Sequence, residues 1–324
     1  MADGRRYGRD ALSDQLAELR ALQDLRHQGP EPEHQLDHAR GRRRTELSEY
    51  VIGRMAITET AYAKINLALH VRKRREDGYH ELQTLFAFVD NGDVLTARVA
   101  EQDSVDTLGE FATGIDNPFD NLVVRALGAF PHPGGMSVML DKRLPVAAGL
   151  GGGSADAGAA IRIIETQYGL PDDWQARAAK LGADVPACVR SEMAVGRGTG
   201  TELDMVENDL SGMPVLLLNP RIPLSTGLVF KAWDGQDRGA LPTGPASNIA
   251  REGRNDLEPP ALSLCPVIGD VLAMLNKTSP WLARMSGSGA TCFALYESVE
   301  ARDAAARKIT IQQPEWWQMA GSLR

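Results

Sequence analysis

The chain has 324 residues, 43% hydrophobic and 24% charged, which excludes a disordered or collagen-like chain and leaves room for one large domain or two ordinary ones. Lys and Arg number 35 against 43 Asp and Glu, and the resulting net charge of −8 argues against a dedicated nucleic-acid binder. Three Cys with no Cys-x-x-Cys pair argue against a disulfide scaffold or a thiolate zinc site, and point to a reducing compartment.

Residues 1–54 differ in composition from the rest. They hold ten Arg, no Lys and ten acidic residues, so the whole charge of −8 belongs to residues 55–324. The N-terminus Met-Ala-Asp-Gly-Arg-Arg lacks the apolar core of a secretory signal, and no later stretch approaches the roughly 20 apolar residues of a membrane span. A cytoplasmic protein without membrane contact is therefore expected. Leu12, Leu16, Leu19, Leu22 and Leu25 recur at the spacing of an amphipathic helix. Gly29-Pro30-Glu31-Pro32 and the run Arg40-Gly41-Arg42-Arg43-Arg44 follow. A poorly ordered or helical, solvated extension is the reading preferred to a docking or nucleic-acid arm. His34 and His38 share a helix face but lack an acidic or Cys partner at ligand spacing, so no metal site is assigned there. Met55 offers an alternative start.

From Ile57 the pattern is that of a folded enzyme. Ile57–Val71 predicts a strand, with a turn at Glu76-Asp77-Gly78. Leu82–Phe88 predicts a second strand, ended by a turn at Asn91-Gly92-Asp93. Asn121–Phe130 reads as a helix and Met136–Leu140 as a strand entering a Gly-rich loop. Ser154–Tyr168 and Trp174–Leu181 are predicted helices, and Val215–Leu218 a strand. Val267–Met274 is helical, Thr291–Tyr296 a strand and Ala301–Lys308 a final helix. Strands and helices mix without a strict βαβ repeat, so α+β is favoured over a doubly wound sheet.

The segment Pro145-Val146-Ala147-Ala148-Gly149-Leu150-Gly151-Gly152-Gly153-Ser154-Ala155-Asp156 is the most informative. Its glycines allow the backbone to approach an anion closely, and the helix beginning at Ser154, an N-cap type, would aim free N–H groups at a phosphate. It is neither a Walker loop, since Ser154 follows Gly153 without a Lys, nor a Rossmann fingerprint, since Ser154 stands where the third Gly belongs. A plain flexible turn is the competing reading. Asp156 is read as an acidic group favouring the helix dipole. Asn66 lies two residues from Lys64 on one strand face, able to hold that Lys or bond an acceptor hydroxyl, or to serve as a satisfied structural amide. Cys188, Cys265 and Cys292 have apolar neighbours and read as small hydrophobes.

The loop resembles the Pro-x-x-x-Gly-Leu-Gly-Gly/Ser-Ser-Ser/Ala signature of the GHMP kinase superfamily. Ala63-Lys64-Ile65-Asn66-Leu67, Asp77-Gly78-Tyr79-His80-Glu81-Leu82, Gly182-Ala183-Asp184-Val185-Pro186, Asn255-Asp256-Leu257-Glu258 and Met285-Ser286-Gly287-Ser288-Gly289-Ala290-Thr291 narrow it to the branch that reads a cytidine. The resemblance spans nearly all of the chain beyond the extension. Ala147 and Ala148 depart from the glycines common there, and Tyr62 stands where Pro is frequent. The implied fold is two-domain α+β: an S5-domain-2-like N-terminal domain at about 55–210, a ferredoxin-like C-terminal domain at about 211–324, and the active site between them.

The implied activity is ATP-dependent, Mg²⁺-assisted phosphorylation of the 2-hydroxyl of a cytidine diphosphate-linked methylerythritol, a step toward isoprenoid precursors. The enzyme is expected as a monomer or homodimer. The resemblance implies Asp184 as the base and Lys64 as its partner, although Asp184 before Pro186 also reads as a helix N-cap and Lys64 as an edge-strand Lys. It implies Pro145, Ala148, Gly149, Leu150, Gly151, Gly152, Gly153, Ser154 and Ala155 as the ATP loop. Tyr79 and Phe230 are implied as stacking rings and His80 as an edge contact, beside the reading of Tyr79 as a hairpin core residue. Ser154 is a candidate Mg²⁺ contact, and no protein metal ligand is assigned. Another GHMP small-molecule kinase, or a catalytically silent nucleotide-binding regulator, remain as alternatives.

Overall fold

The computed structural model describes residues 56–114 and 121–324. The expectations for the extension, including the Leu12–Leu25 helix, the Arg run and the His34/His38 pair, lie outside the described residues.

Two sheets form the frame. The first holds β1 (Ile57–Arg74), β2 (His80–Ala100), β3 (Ser104–Leu108), β4 (Gly135–Asp141), β5 (Ala194–Arg197) and β6 (Glu202–Met205). Its order is β3-β4-β2-β5-β6, with β1 also paired to β2. The helices α1 (Leu122–Ala129), α2 (Gly152–Tyr168), α3 (Trp174–Leu181) and α4 (Val185–Arg190) belong to this half. Phe86, Phe88, Leu95, Val123, Ile161, Ile164 and Val189 share its core.

The second sheet is β7 (Pro214–Asn219), β8 (Leu282–Met285), β9 (Cys292–Leu295) and β10 (Trp317–Ser322), in the order β10-β7-β9-β8 with every pair antiparallel. Between β7 and β8 lie α5 (Thr226–Ala232), α6 (Ala246–Glu252), α7 (Glu258–Leu264) and α8 (Val267–Asn276), and α9 (Val299–Gln312) precedes β10. This succession is the ferredoxin-like split βαβ arrangement that was expected. All of β7 is buried, because its faces serve two cores. Val215 and Leu217 pack with Ile65, Leu67 and Leu85 of the first sheet, whereas Leu216 and Leu218 pack with Val229, Ile268 and Val271. Period-2 alternation thus joins the halves on one face and seats α5 and α8 on the other.

One expectation for the strands fails. Asn91-Gly92-Asp93 is not a turn, because β2 continues through it to Ala100. Tyr62 pairs with Gly92 and Lys64 with Phe88, so extra β2 residues are accommodated as an irregularity within the pair. A side chain at Gly92 would collide with the Ala61 carbonyl. Turn-type residues are overruled here because residues 94–100 also pair with β4, and 84–86 with β5. One long strand therefore serves both ends of the sheet.

Candidate active site

Lys64 and Asn66 share one face of β1, in the part of the strand that lies beside the phosphate-type loop. The Lys64 backbone N–H donates to Leu150 O at 3.0 Å, which ties strand to loop. Lys64 is only 4% exposed, so it is no solubilising edge residue. Its Nζ lies 2.9 Å from Asp184 Oδ2 and donates to Asn66 Oδ1 at 3.0 Å. Asn66 in turn donates from Nδ2 to Thr84 Oγ1 at 2.7 Å, and Thr84 donates to Ala68 O at 2.8 Å. Asn66 is therefore a satisfied amide that also holds Lys64. Two acceptors occupy two of the three ammonium N–H groups.

Asp184 stands at the N-cap position of α4, with Pro186 just inside the helix, yet its side chain makes no capping bond. The carboxylate is turned to Lys64 and remains about one-third exposed, at 31%. Helix geometry positions the residue without consuming its charge.

The loop enters α2 differently from expectation. The helix starts at Gly152 with Gly151 as N-cap at φ +60°, so Ser154 lies in the first turn and is not the cap. Gly is favoured at Gly151 because left-handed backbone carries no Cβ penalty there. Two glycine-rich turns interlock beside it. Ser286 Oγ donates to Gly149 O at 2.8 Å and accepts from Asn66 N at 3.2 Å. Thr291 N donates to Ala148 O at 3.2 Å. Asn255 Nδ2 braces the second turn by donating to Met285 O and Gly287 O, both at 2.8 Å. Gly149 has φ +76°, and a Cβ there would lie 2.3 Å from Ser286 O. Exchanging Gly149 for Ala should therefore cost about 1–3 kcal/mol of stability, as read by chemical denaturation.

Under α2 lies a cluster that sequence reasoning missed. Lys142 Nζ donates to Asp93 Oδ2 at 2.5 Å and to Asp156 Oδ2 at 2.8 Å. Asp93 Oδ1 accepts from Arg143 N at 2.6 Å and Leu144 N at 2.8 Å. Asp156 is 2% exposed, so it does not cap the helix from solvent. Desolvation pushes its pKa up to about 8, against the opposing pull of Lys142. Burial pulls Lys142 down, but Asp156 and Asp93 outweigh it and the ammonium stays charged. A Cβ at Gly152 would lie 3.4 Å from Lys142 Nζ, which puts the cluster directly behind the loop.

At the other end of the site, Tyr79 is 63% exposed, which excludes the hairpin-core reading. The turn before it is shaped by Asp77, whose Oδ1 accepts Tyr79 N at 3.1 Å. The His80 ring lies 4.9 Å from that of Phe230, tilted by 39°, and 5.8 Å from Trp233, edge-on. Trp233 carried no signal in the sequence beyond being aromatic three residues after Phe230.

These groups face one cleft of about 790 Å³, lined by Lys64, Asn66, Tyr79, His80, Ala148, Gly149, Gly151, Gly152, Gly153, Ser154, Asp184 and Phe230. Three residues assigned to the loop do not line it. Pro145, Leu150 and Ala155 turn their side chains into the core, because the loop must be anchored below as well as open above. Cys188, Cys265 and Cys292 are buried, and burial raises each thiol pKa, so none is an activated nucleophile.

Residues 121–192 match the family described as GHMP kinases N terminal domain, and residues 240–314 match GHMP kinases C terminal. The 4-diphosphocytidyl-2-C-methyl-D-erythritol kinase of Erythrobacter litoralis is 66% identical over 272 residues, covering 83% of this chain and 100% of that protein. The chain belongs to this family of GHMP kinases. The kinase of the same name from Novosphingobium aromaticivorans is 64% identical over 270 residues, covering 83% of this chain and 94% of its own. A crystal structure of 4-(cytidine 5'-diphospho)-2C-methyl-D-erythritol kinase superposes with a TM-score of 0.69 at 34% identity, covering 82% of this chain and 99% of the other. The protein is a small-molecule kinase with a mixed α+β fold. Among its described residues no helix is long and apolar enough to cross a membrane.

Proposed function

We propose that this kinase transfers the γ-phosphoryl group of ATP to the 2-hydroxyl of 4-diphosphocytidyl-2-C-methyl-D-erythritol, a step of the non-mevalonate route to isoprenoid precursors. The observation that carries the reading is the convergence, in one cleft, of the glycine loop, the Lys64–Asp184 pair and the aromatic end formed by Tyr79, His80 and Phe230. A silent regulator would have no need for a 2.9 Å ion pair of a buried Lys and a carboxylate free of capping duty.

Phosphoryl transfer demands positioning and charge neutralisation more than covalent chemistry. The first-turn N–H groups of Gly152, Gly153 and Ser154 have no intrahelical acceptor and offer donors to the phosphates. Asp184 accepts the proton of the substrate hydroxyl as the new P–O bond forms. Lys64, held by Asn66, lies against the Asp184 carboxylate as its counter-charge and has a third N–H for a phosphate oxygen. Tyr79 and Phe230 take the cytosine between them, and His80 meets its edge.

No cluster of three or more His, Cys, Asp or Glu among the described residues is arranged to hold a metal alone. Mg²⁺ would come with the nucleotide, held largely by phosphate and water oxygens and needing few ligands from the protein. Ser154 lines the cleft, and its hydroxyl would be a fitting protein oxygen for it. Held there, Mg²⁺ would supply neutralisation of charge on the transferring group.

The test is ADP release with Mg-ATP and the cytidine diphosphate-linked substrate, set against mevalonate and homoserine. Turnover of the first alone, with a new phosphomonoester on the 2-oxygen by ³¹P NMR, is the expected result. Turnover of either competitor in its place would overturn the substrate assignment.

A further inference from the structure

Arg74, at the end of β1, is the register partner of His80 at the start of β2. Its Nε donates to His80 Nε2 at 3.4 Å. Its Nη2 is held at the C-terminal end of α5 by Lys231 O and Trp233 O, each at 3.4 Å. That is the same short helix that carries Phe230, so the guanidinium bridges the turn behind His80 to the helix in front of it.

A guanidinium has donors only and does not deprotonate. The nitrogen of His80 that faces it must therefore be the lone-pair nitrogen. In a neutral imidazole the other nitrogen then carries the hydrogen. Burial, and then the charge of Arg74, lower the His80 pKa and keep the ring neutral. Phe230 and Trp233 limit rotation of the ring from two sides. Arg74, Tyr79, His80 and Phe230 all line the cleft.

We propose that Arg74 is a positioning residue for base recognition: it fixes His80 as the Nδ1–H tautomer, so that His80 meets the nucleobase as a hydrogen-bond donor. The inference rests on the reading that this end of the cleft takes cytidine. A donor is matched by the unprotonated N3 of cytosine. Uracil carries a hydrogen on N3, so two donors would face one another, and a site built to make that bond rejects the mismatch. Arg74 thereby contributes to the choice of cytidine over uridine without touching the base.

The experiment uses the full chain, with Arg74→Met and Arg74→Gln as variants. Long-range ¹⁵N–¹H spectra of the free proteins report the His80 tautomer, and initial rates are measured with cytidine- and uridine-diphosphate-linked methylerythritol. The wild type is expected to show the Nδ1–H form. In Arg74→Met the ring should move toward the Nε2–H form. KM for the cytidine substrate should then rise about tenfold with kcat little changed, and the preference over uridine should shrink. Arg74→Gln, which retains an N–H donor without the charge, should restore tautomer and KM. A wild-type Nε2–H ring, or an Arg74→Met variant unchanged in tautomer and KM, overturns this inference alone. A wild-type protein that ignores the cytidine substrate overturns the functional reading itself, and the base-recognition role with it.

Discussion

Exchanging Asp184 for Asn is expected to lower kcat by about 10²–10⁴-fold, a loss of about 3–5 kcal/mol of transition-state stabilisation, while KM for ATP changes little. The substitution keeps size and hydrogen-bonding shape but removes the proton acceptor. It also removes the counter-charge of Lys64, whose ammonium is nearly buried and keeps only Asn66. Because the Asp184 side chain makes no capping bond, α4 loses nothing from the change. Secondary structure by circular dichroism should therefore match the wild type. Steady-state kinetics at saturating ATP decide the matter. A variant that keeps its turnover would reduce Asp184 to a structural residue and move the base elsewhere in the cleft.

Replacing Lys142 by Met should destabilise the fold by about 3–5 kcal/mol, a large share of the 5–15 kcal/mol that holds a typical domain together. Lys142, Asp93 and Asp156 are 3%, 0% and 2% exposed. Met fills the volume of Lys but leaves two buried carboxyl groups without their shared donor, and the Asp156 Oδ1 atom already lacks a partner. The cost comes from stranded polar groups, not from lost attraction. The pH dependence separates the two carboxyls. The folded-state pKa of Asp156 is about 8, above its ordinary value of 3.8. The folded protein thus holds a proton that the unfolded chain has released. Its contribution is complete below about pH 4 and is lost as pH rises through about 8. Urea denaturation at pH 5, 7 and 9 should show stability falling with pH in the wild type and a flatter profile in Asp156→Asn. Equal slopes in the two proteins would assign the pH dependence to other groups.

Much of the site was legible in one dimension because its motifs are local. The glycines of the loop and the Tyr79–His80 pair each sit within a few consecutive residues, and Lys64 and Asn66 share a strand face by simple alternation. Local chemistry misled where a longer element overruled it. Asn91-Gly92-Asp93 has turn residues, yet the strand runs on because two neighbours pair with its ends. Ser154 has the right type for an N-cap, yet Gly151 reaches the left-handed conformation at lower cost and starts the helix earlier. Asp156 reads as an acid favouring the dipole at a helix start, but the face it occupies is turned inward against Lys142.

By itself, the sequence determined the α+β class, most of the main strands and helices, the phosphate-type loop and the membership of a kinase family. These depend on periodicity, glycine content and motifs read over short distances. Only the tertiary structure decided which distant groups meet. It turned the Asp184 carboxylate to Lys64, 120 residues away in the chain. It locked Ser286 onto Gly149 across 137 residues, buried Lys142 between two acids, and put Arg74 behind His80. Such contacts arise from the register of β1 against β2 and from the packing of the two sheets on a shared core. No local pattern encodes either, because each is set by the balance of burial over the whole chain.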